Sequence, residues 1–349
     1  MIFFYFFASI IISCVFTLGV RVLMQKKGVL DIPKKQTRKK HKESTPLGGG
    51  LAIYATCLLV VLFERFAGFV PQSHVADTLV IGVFLGGGLL IFGGFLDDKY
   101  TLPPVYQIIC PLLASFVVMY FGLGVESIGF SSERFHFIRF FGLDLSEASQ
   151  WIFFGNIIVF FWLMGMMYTT KFLDGLDGLV AGITAIGGGM VALVSVQQQW
   201  FQPEVTFISL VFAGSCLGFL FWNFRDAKIF LGEGGSLFTG FFVAALAIIS
   251  GSKVATTLLV MAVPIFDLVR VVLVRLKGGR SIFVGDREHL HFKMVQAGFT
   301  QTQTVIFFYG IAAFFGVSVL FLQSYQKFLA LCAIFIFMVL FGVFYAKRV

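Results

Sequence analysis

Apolar residues fall into eleven long runs, at about 2–24, 47–66, 77–96, 104–122, 150–168, 178–196, 205–222, 235–251, 254–274, 303–322 and 327–346, separated by short polar stretches. Each run approaches the ~20 residues a helix needs to cross the hydrocarbon core of a bilayer. The pattern predicts an all-α polytopic integral membrane protein with about eleven transmembrane helices, in which residues 1–349 form a single domain. Composition agrees, because 58% of the residues are hydrophobic and only 13% are charged, roughly half the charged fraction of an ordinary soluble domain. Connections this short exclude a separate large soluble domain.

Charge sets the orientation. With the N-terminus outside, 21 of the 26 Lys and Arg residues fall on one side, in or beside loops at about 25–46, 97–103, 169–177, 223–235 and 275–302 and at the C-terminus. This is the positive-inside signature of an N-out/C-in chain, so these loops are predicted to be cytoplasmic. Eleven of the 18 acids lie on the same side, which equips that face to hold phosphates and a divalent cation together. The net charge of +8 therefore reads as topology, and the run KKQTRKKHKES at 34–44 as a contact for anionic lipid rather than nucleic acid. The five cysteines all lie in apolar runs without metal spacing and imply no disulfide framework. The first apolar run lacks a preceding basic region, so it is predicted to be a helix and not a cleaved signal. Glycine triplets at 48–50, 86–88 and 187–189 are predicted to serve close helix packing. The external stretch 123–149, which mixes aromatics with charges, is assigned no chemistry.

Polar constellations cluster at the predicted inner ends. GGFLDDKYTLPP sets Asp97 and Asp98 side by side, either as a solvated helix end or as carboxylates sharing a cation. In YTTKFLDGLDGLVAGIT, Asp174 and Asp177 are three residues apart and share a face if helical; two DG units are more than a polar turn requires. WNFRDAKIFLGEGGSLFTGF brings Asn223, Arg225, Lys228 and Glu233 to a helix start, where backbone N–H groups suit an anion, while Ser236 serves equally well as an N-cap. VPIFDLVR carries Asp267 with Arg270 at i+3, and Pro264 is predicted to kink the helix. The loop RSIFVGDREHLHFKM presents Asp286, Arg287, His289 and His291. An H-x-H pair without a third nitrogen or sulfur ligand is a poor zinc site, and Arg287 better suits phosphate. Lys42, just before STPLGGG, is held near the same membrane face.

Taken in order, HKESTPLGGG, FLDDKYTL, FLDGLDGLVAG, NFRDAKIFLGEGGS, VPIFDLVR and DREHLHF span about residues 26–295 and resemble the polyprenyl-phosphate N-acetylhexosamine-1-phosphate transferase family. The last loop is more similar to the UDP-GlcNAc branch than to the phospho-N-acetylmuramoyl-pentapeptide branch. The resemblance implies a multi-pass enzyme of the bacterial inner membrane with its active site on the cytoplasmic face. Such an enzyme transfers a sugar 1-phosphate from a UDP-N-acetylhexosamine, with UDP-GlcNAc the first choice, to polyprenyl phosphate and releases UMP, beginning a cell-envelope glycan. It implies magnesium as cofactor, with manganese as a substitute. By resemblance Asp97, Asp98, Asp174 and Asp177 are catalytic carboxylates, and Glu233 with Asp97 and Asp98 holds the metal. Lys42, Lys171, Asn223, Ser236, Arg287, His289 and His291 contact substrate. The partners are then polyprenyl phosphate, the nucleotide sugar and the membrane; the glycine faces permit a homodimer without requiring one.

The chain departs from the family's pattern at several positions. Lys171 stands where the family usually has Asn, Glu233 where it has Asp, and Gln107 where it has Lys; Tyr168 is a further difference. A cation beside Asp174 and Asp177 either pairs with them and weakens metal binding or grips a diphosphate directly, and a catalytically altered member is the rival reading. A CDP-alcohol phosphatidyltransferase is disfavoured because its longer aspartate string is absent. A transporter is disfavoured because the acids sit at one membrane edge and no repeat is evident.

Overall fold

The computed structural model describes residues 2–32, 44–71, 75–124, 148–197, 201–251, 254–279, 288–322, 325–327 and 329–336. Lys42, Arg287, Asp286 and nearly all of 34–44 and 123–149 lie outside the described residues.

The chain is a multi-pass helical membrane protein. Its elements are α1 (Ile2–Lys27), β1 (Leu30–Asp31), β2 (Thr45–Pro46), α2 (Gly50–Ala67), α3 (Asp77–Tyr100), α4 (Pro104–Gln107), α5 (Ile109–Tyr120), α6 (Ala148–Leu173), α7 (Leu179–Ser195), α8 (Pro203–Asn223), α9 (Glu233–Ile249), α10 (Val254–Val260), α11 (Ala262–Lys277), α12 (Leu290–Gln296) and α13 (Gln301–Ser318). Five helices, α1, α2, α3, α6 from Phe154 onward and α8, are long and apolar enough to cross a membrane, and α10 with α11 makes a sixth if counted as one bent span. Shorter apolar helices at Pro104–Tyr120, α7, α9 and Tyr325–Ile336 fall on four other expected runs. Phe4, Phe63, Phe66, Phe92 and Phe221 point outward and are more than half exposed, a surface suited to lipid and not to water.

One expected kink is present and two expected boundaries shift, each for a local reason. The run at 254–274 is not one straight helix: it bends by 70° between α10 and α11. Pro264 has no N–H for the Val260 carbonyl four residues back, so the ladder breaks there. The third and fifth runs continue past the predicted edge, so Asp97, Asp98 and Lys171 lie in the last turns of helices rather than in loops. In α6 the polar Thr169 and Thr170 do not interrupt the helix, because their hydroxyls donate to carbonyls of the preceding turn.

Helix α9 is the centre. Residues 234–248 are all buried, as expected for a helix apolar on every side, and α2, α3, α6 and α7 pack around it. Its first turn is gripped by glycines: a Cβ on Gly50 would lie 2.0 Å from Gly235 Cα, and one on Gly94 would lie 2.0 Å from Gly234 N. Two of the three predicted packing triplets behave as expected, since Gly49, Gly50, Gly86, Gly87 and Gly88 all meet a neighbour at 3.1 Å or less. In the third, Gly188 does so, whereas Gly189 faces open space.

Chain direction alternates in a way that collects the motifs. Helices α1, α3, α6 and α8 end where α2, α7, α9 and α13 begin. At the opposite end, Arg65 binds Glu204 at 2.5 Å and Asp77 at 2.8 Å, the Val75 amide donates to Glu204, and Tyr5 donates to buried Glu64. This knot joins α1, α2, α3 and α8 and leaves the first end free for chemistry.

Candidate active site

The motif-bearing ends enclose a cleft of about 400 Å³. Its floor is backbone: β1 pairs antiparallel with β2, Pro46 accepts from the Phe230 amide, and the Gly49 and Gly50 amides donate to Phe230 and Leu231. Its wall carries Asp31, Asp98, Asp174, Asp177 and Glu233 with Lys171 as the one cation among the described residues. A wall so rich in acids, with one ammonium, would repel a diphosphate unless further positive charge enters with it.

Asp98 and Glu233 are neighbours. The Glu233 amide, at the open start of α9, donates to Asp98 Oδ1 at 3.1 Å, where a carboxylate is favoured by the helix dipole. Lys171 Nζ lies 2.9 Å from Glu233 Oε2, yet off the line of a hydrogen bond, so this buried oxygen has charge opposite it and no aligned donor. The aligned bond of Lys171 runs instead to Gln107 Oε1 at 2.9 Å. Gln107 Nε2 in turn donates to Leu102 O at 2.8 Å and to Asp97 Oδ1 at 3.3 Å. Asp97, 6% exposed, also takes the Leu102 amide at 2.8 Å. It thus fastens the end of α3 and does not line the cleft.

The DG turn supplies the other two acids. Asp174 follows the last residue of α6 and opens into the cleft. Although solvent reaches it, protein surrounds it, and burial, followed by Glu233, Asp98 and Asp177, holds its carboxyl well above the usual carboxylate range. Asp177 Oδ2 accepts the Ala227 amide at 3.1 Å, bracing a turn in which Arg225 and Asp226 both have left-handed φ, 46° and 57°. Asn223 spends its amide on backbone, accepting from Gly178 N at 3.0 Å and donating to Ile229 O at 2.9 Å. One N–H and one lone pair remain for a ligand. Ser236 is not the N-cap, which is Gly232; its hydroxyl donates to Glu233 O in the first turn of α9.

The two histidines lie behind the cleft and do not line it. Asp267 accepts from Arg270 at 2.7 Å and from the Leu290 amide at 3.1 Å, and faces His289 Nδ1 at 2.9 Å. His289 stacks on Phe172 on one side and lies parallel to His291 on the other. His291 is fully buried with neither ring nitrogen paired, and burial lowers its pKa to about 3, so it is neutral. A Cβ on Gly175 would meet His291 Nε2 at 2.5 Å, which puts the histidine directly under the DG turn. Phe292, Val295 and Gln296 of α12 reach the cleft, as do Asp31 and Gln301. None of these five was singled out from sequence; Asp31 alone carried a signal, as an acid just past a predicted inner helix end.

Among the described residues no three His, Cys, Asp or Glu side chains converge closely enough to hold a metal unaided. Asp98 and Glu233, all-oxygen donors with one unpaired buried oxygen, make a partial site that suits a hard cation completed by water and ligand oxygens.

The family described as glycosyl transferase family 4 matches residues 80–251, the stretch from the start of α3 to the end of α9. Over that stretch the chain is similar to glycosyl transferase family 4. It is 29% identical over 342 residues to a probable undecaprenyl-phosphate N-acetylglucosaminyl 1-phosphate transferase of Bacillus subtilis, covering 96% of this chain and 88% of that one. It is 28% identical over 333 residues to the decaprenyl-phosphate N-acetylglucosaminephosphotransferase of Mycobacterium tuberculosis, covering 86% and 78%. To the phospho-N-acetylmuramoyl-pentapeptide-transferase of Halalkalibacterium halodurans it is 28% identical over 328 residues, covering 91% and 95%. Of the departures noted in the sequence, three are not scattered: Gln107, Lys171 and Glu233 touch one another in a single row.

Proposed function

We propose that this chain transfers N-acetylglucosamine 1-phosphate from UDP-GlcNAc to undecaprenyl or a similar polyprenyl phosphate, giving the polyprenyl-diphospho-sugar and UMP, as the first step of a cell-envelope glycan. The observation that carries the reading is the convergence of Asp98, Asp174, Asp177, Glu233 and Lys171 from four separate elements on one cleft, in a family whose similar members bear names for this transfer. The branch, the hexosamine, an eleven-span N-out/C-in topology, a bacterial inner-membrane location and a homodimer belong to the same proposal.

The acceptor phosphate oxygen attacks the sugar-linked phosphorus; one P–O bond forms, the bond to UMP breaks, and UMP carries off the electron pair. A phosphate monoester has a second pKa near ~6, so the acceptor arrives largely ionised and no strong base is required. Asp97, engaged by Leu102 and Gln107, is placed to hold the end of α3 rather than to take a proton. Magnesium, when bound by Asp98 and Glu233, supplies positive charge to the diphosphate. Lys171 lies where it adds a second cation, Asp177 and Asn223 brace the turns that shape the nucleotide end, and the Asp267–His289–His291 stack holds the DG turn from behind.

The test is UMP release by the purified protein with polyprenyl phosphate, magnesium and a panel of UDP-N-acetylhexosamines. Release that requires both lipid and metal supports the reading and names the donor. No release from any donor, with nucleotide-sugar binding intact, overturns it in favour of a catalytically silent family member.

A further inference from the structure

Lys171 occupies an unusual place. It is the only cation among the described residues lining the cleft, and its ammonium sits between two anchors of different kind. One is Gln107, neutral, with a well-aligned bond at 2.9 Å; the other is Glu233, charged, at 2.9 Å but out of line. Gln107 is itself fixed by Leu102 O and Asp97, so it does not move with the lysine. Glu233 Oε2 is buried and otherwise unpaired. With its side chain 39% exposed, Glu233 is partly solvated, and Lys171 offsets the charge at the one oxygen that water does not reach.

We propose that Lys171 is a resident place-holder cation: it neutralises Glu233 until a divalent ion takes that carboxylate, and it then stays on Gln107, within reach of the incoming diphosphate. The inference rests on the proposed metal-dependent transfer but concerns this chain's own residues. Lysine suits the task because its ammonium is a point charge on a flexible stem, able to leave one acceptor without leaving the other. Two consequences follow. Divalent ions bind the nucleotide-free protein weakly, since they must displace an ammonium, and they bind better once a diphosphate offers Lys171 another anion. Gln107 sets the balance, because it gives the lysine somewhere to remain.

The experiment is a manganese titration of the nucleotide-free protein in detergent, read by the loss of the free Mn²⁺ signal in electron paramagnetic resonance. Lys171→Gln is expected to tighten Mn²⁺ binding about fivefold, the upper scale of one part-exposed competing ion pair, and Lys171→Arg to leave it near the wild-type value. Gln107→Ala is expected to weaken it, because Lys171 then has only Glu233. Glu233→Gln in either background is expected to abolish the difference. Equal or weaker Mn²⁺ binding by Lys171→Gln, or tighter binding by Gln107→Ala, overturns the place-holder role. Thermal unfolding of each variant reports its folding, and Gln107→Ala tests the idea alone if Lys171→Gln fails to fold. Absent UMP release alongside a tightened Lys171→Gln would sink the transferase reading only; normal release with unchanged Mn²⁺ affinity would sink this one only.

Discussion

Adding one methyl group at Gly94 tests whether the glycine contacts of α9 set the catalytic geometry. A Cβ built there lies 2.0 Å from Gly234 N and 2.1 Å from its Cα, while ordinary contact begins at 3.4 Å. The colliding atoms are backbone on both sides, so no side chain can turn away, and α9 must withdraw from α3 by about 1.4 Å. Gly234 adjoins Glu233, whose amide donates to Asp98 at 3.1 Å; a shift of that size stretches this bond beyond hydrogen-bonding range. Overpacking of this kind costs about 1–3 kcal/mol, and misplacing a catalytic group by about 1 Å costs about 10²-fold in rate. Gly94→Ala is therefore expected to lower kcat for UMP release about a hundredfold, with a modest fall in Tm. Gly189→Ala is the control: it too is a glycine within a helix, but its Cβ meets nothing within 4 Å, so helix propensity alone predicts unchanged or slightly raised stability and normal kcat. Equal behaviour of the two variants would refute the argument that close backbone approach of α9 positions Asp98 and Glu233.

Three further outcomes are expected. Asp98→Asn and Glu233→Gln should each reduce turnover in detergent by well over tenfold without lowering Tm, whereas Asp97→Asn should reduce turnover and Tm together because that carboxylate fastens the end of α3; normal rates in all three would displace the assigned site. Asp174 has a raised pKa in the folded protein, so the native state holds a proton that the unfolded chain has released, and stability falls as pH rises through the native value. Asp174→Asn removes that penalty: Tm of the ligand-free protein should exceed wild type more at pH 8 than at pH 5 while activity is lost, and a constant Tm difference across this range would contradict it. At the far end, Arg65→Met removes the guanidinium partner of buried Glu204, which keeps the Val75 amide; this should cost up to about 3 kcal/mol with kcat of the surviving enzyme unchanged, and a change in kcat at equal folded fraction would link that knot to the site.

Much of the fold was legible because a bilayer allows few solutions. Apolar runs near 20 residues had to be helices, and the charge pattern placed Asp98, Asp174, Asp177, Asn223 and Glu233 at one end before any contact was known. What pattern could not give was the register of helix ends. Residues 169–177 read as a loop because Thr169, Thr170 and Lys171 are polar, yet the hydroxyls donate back into the helix and carry it through Leu173. The bend at Pro264 was legible from the proline itself, but periodicity cannot show that Asp31 returns to the cleft on a two-residue ribbon.

That shift in register changes the meaning of Lys171. Read from the sequence, Lys171 stands in a loop beside Asp174 and Asp177, where it either pairs with them or grips a diphosphate. The helix runs through Lys171 and ends at Leu173, Asp174 turns off its axis, and the ammonium reaches across to α4 and α9. The cation expected at position 107 by resemblance is thus present one contact away, at 171, with Gln107 as its neutral partner, and the extra methylene of Glu233 spans the gap to it. Three substitutions that look damaging one at a time therefore share one electrostatic row, and their effects should be strongly non-additive, as for any residues in direct contact.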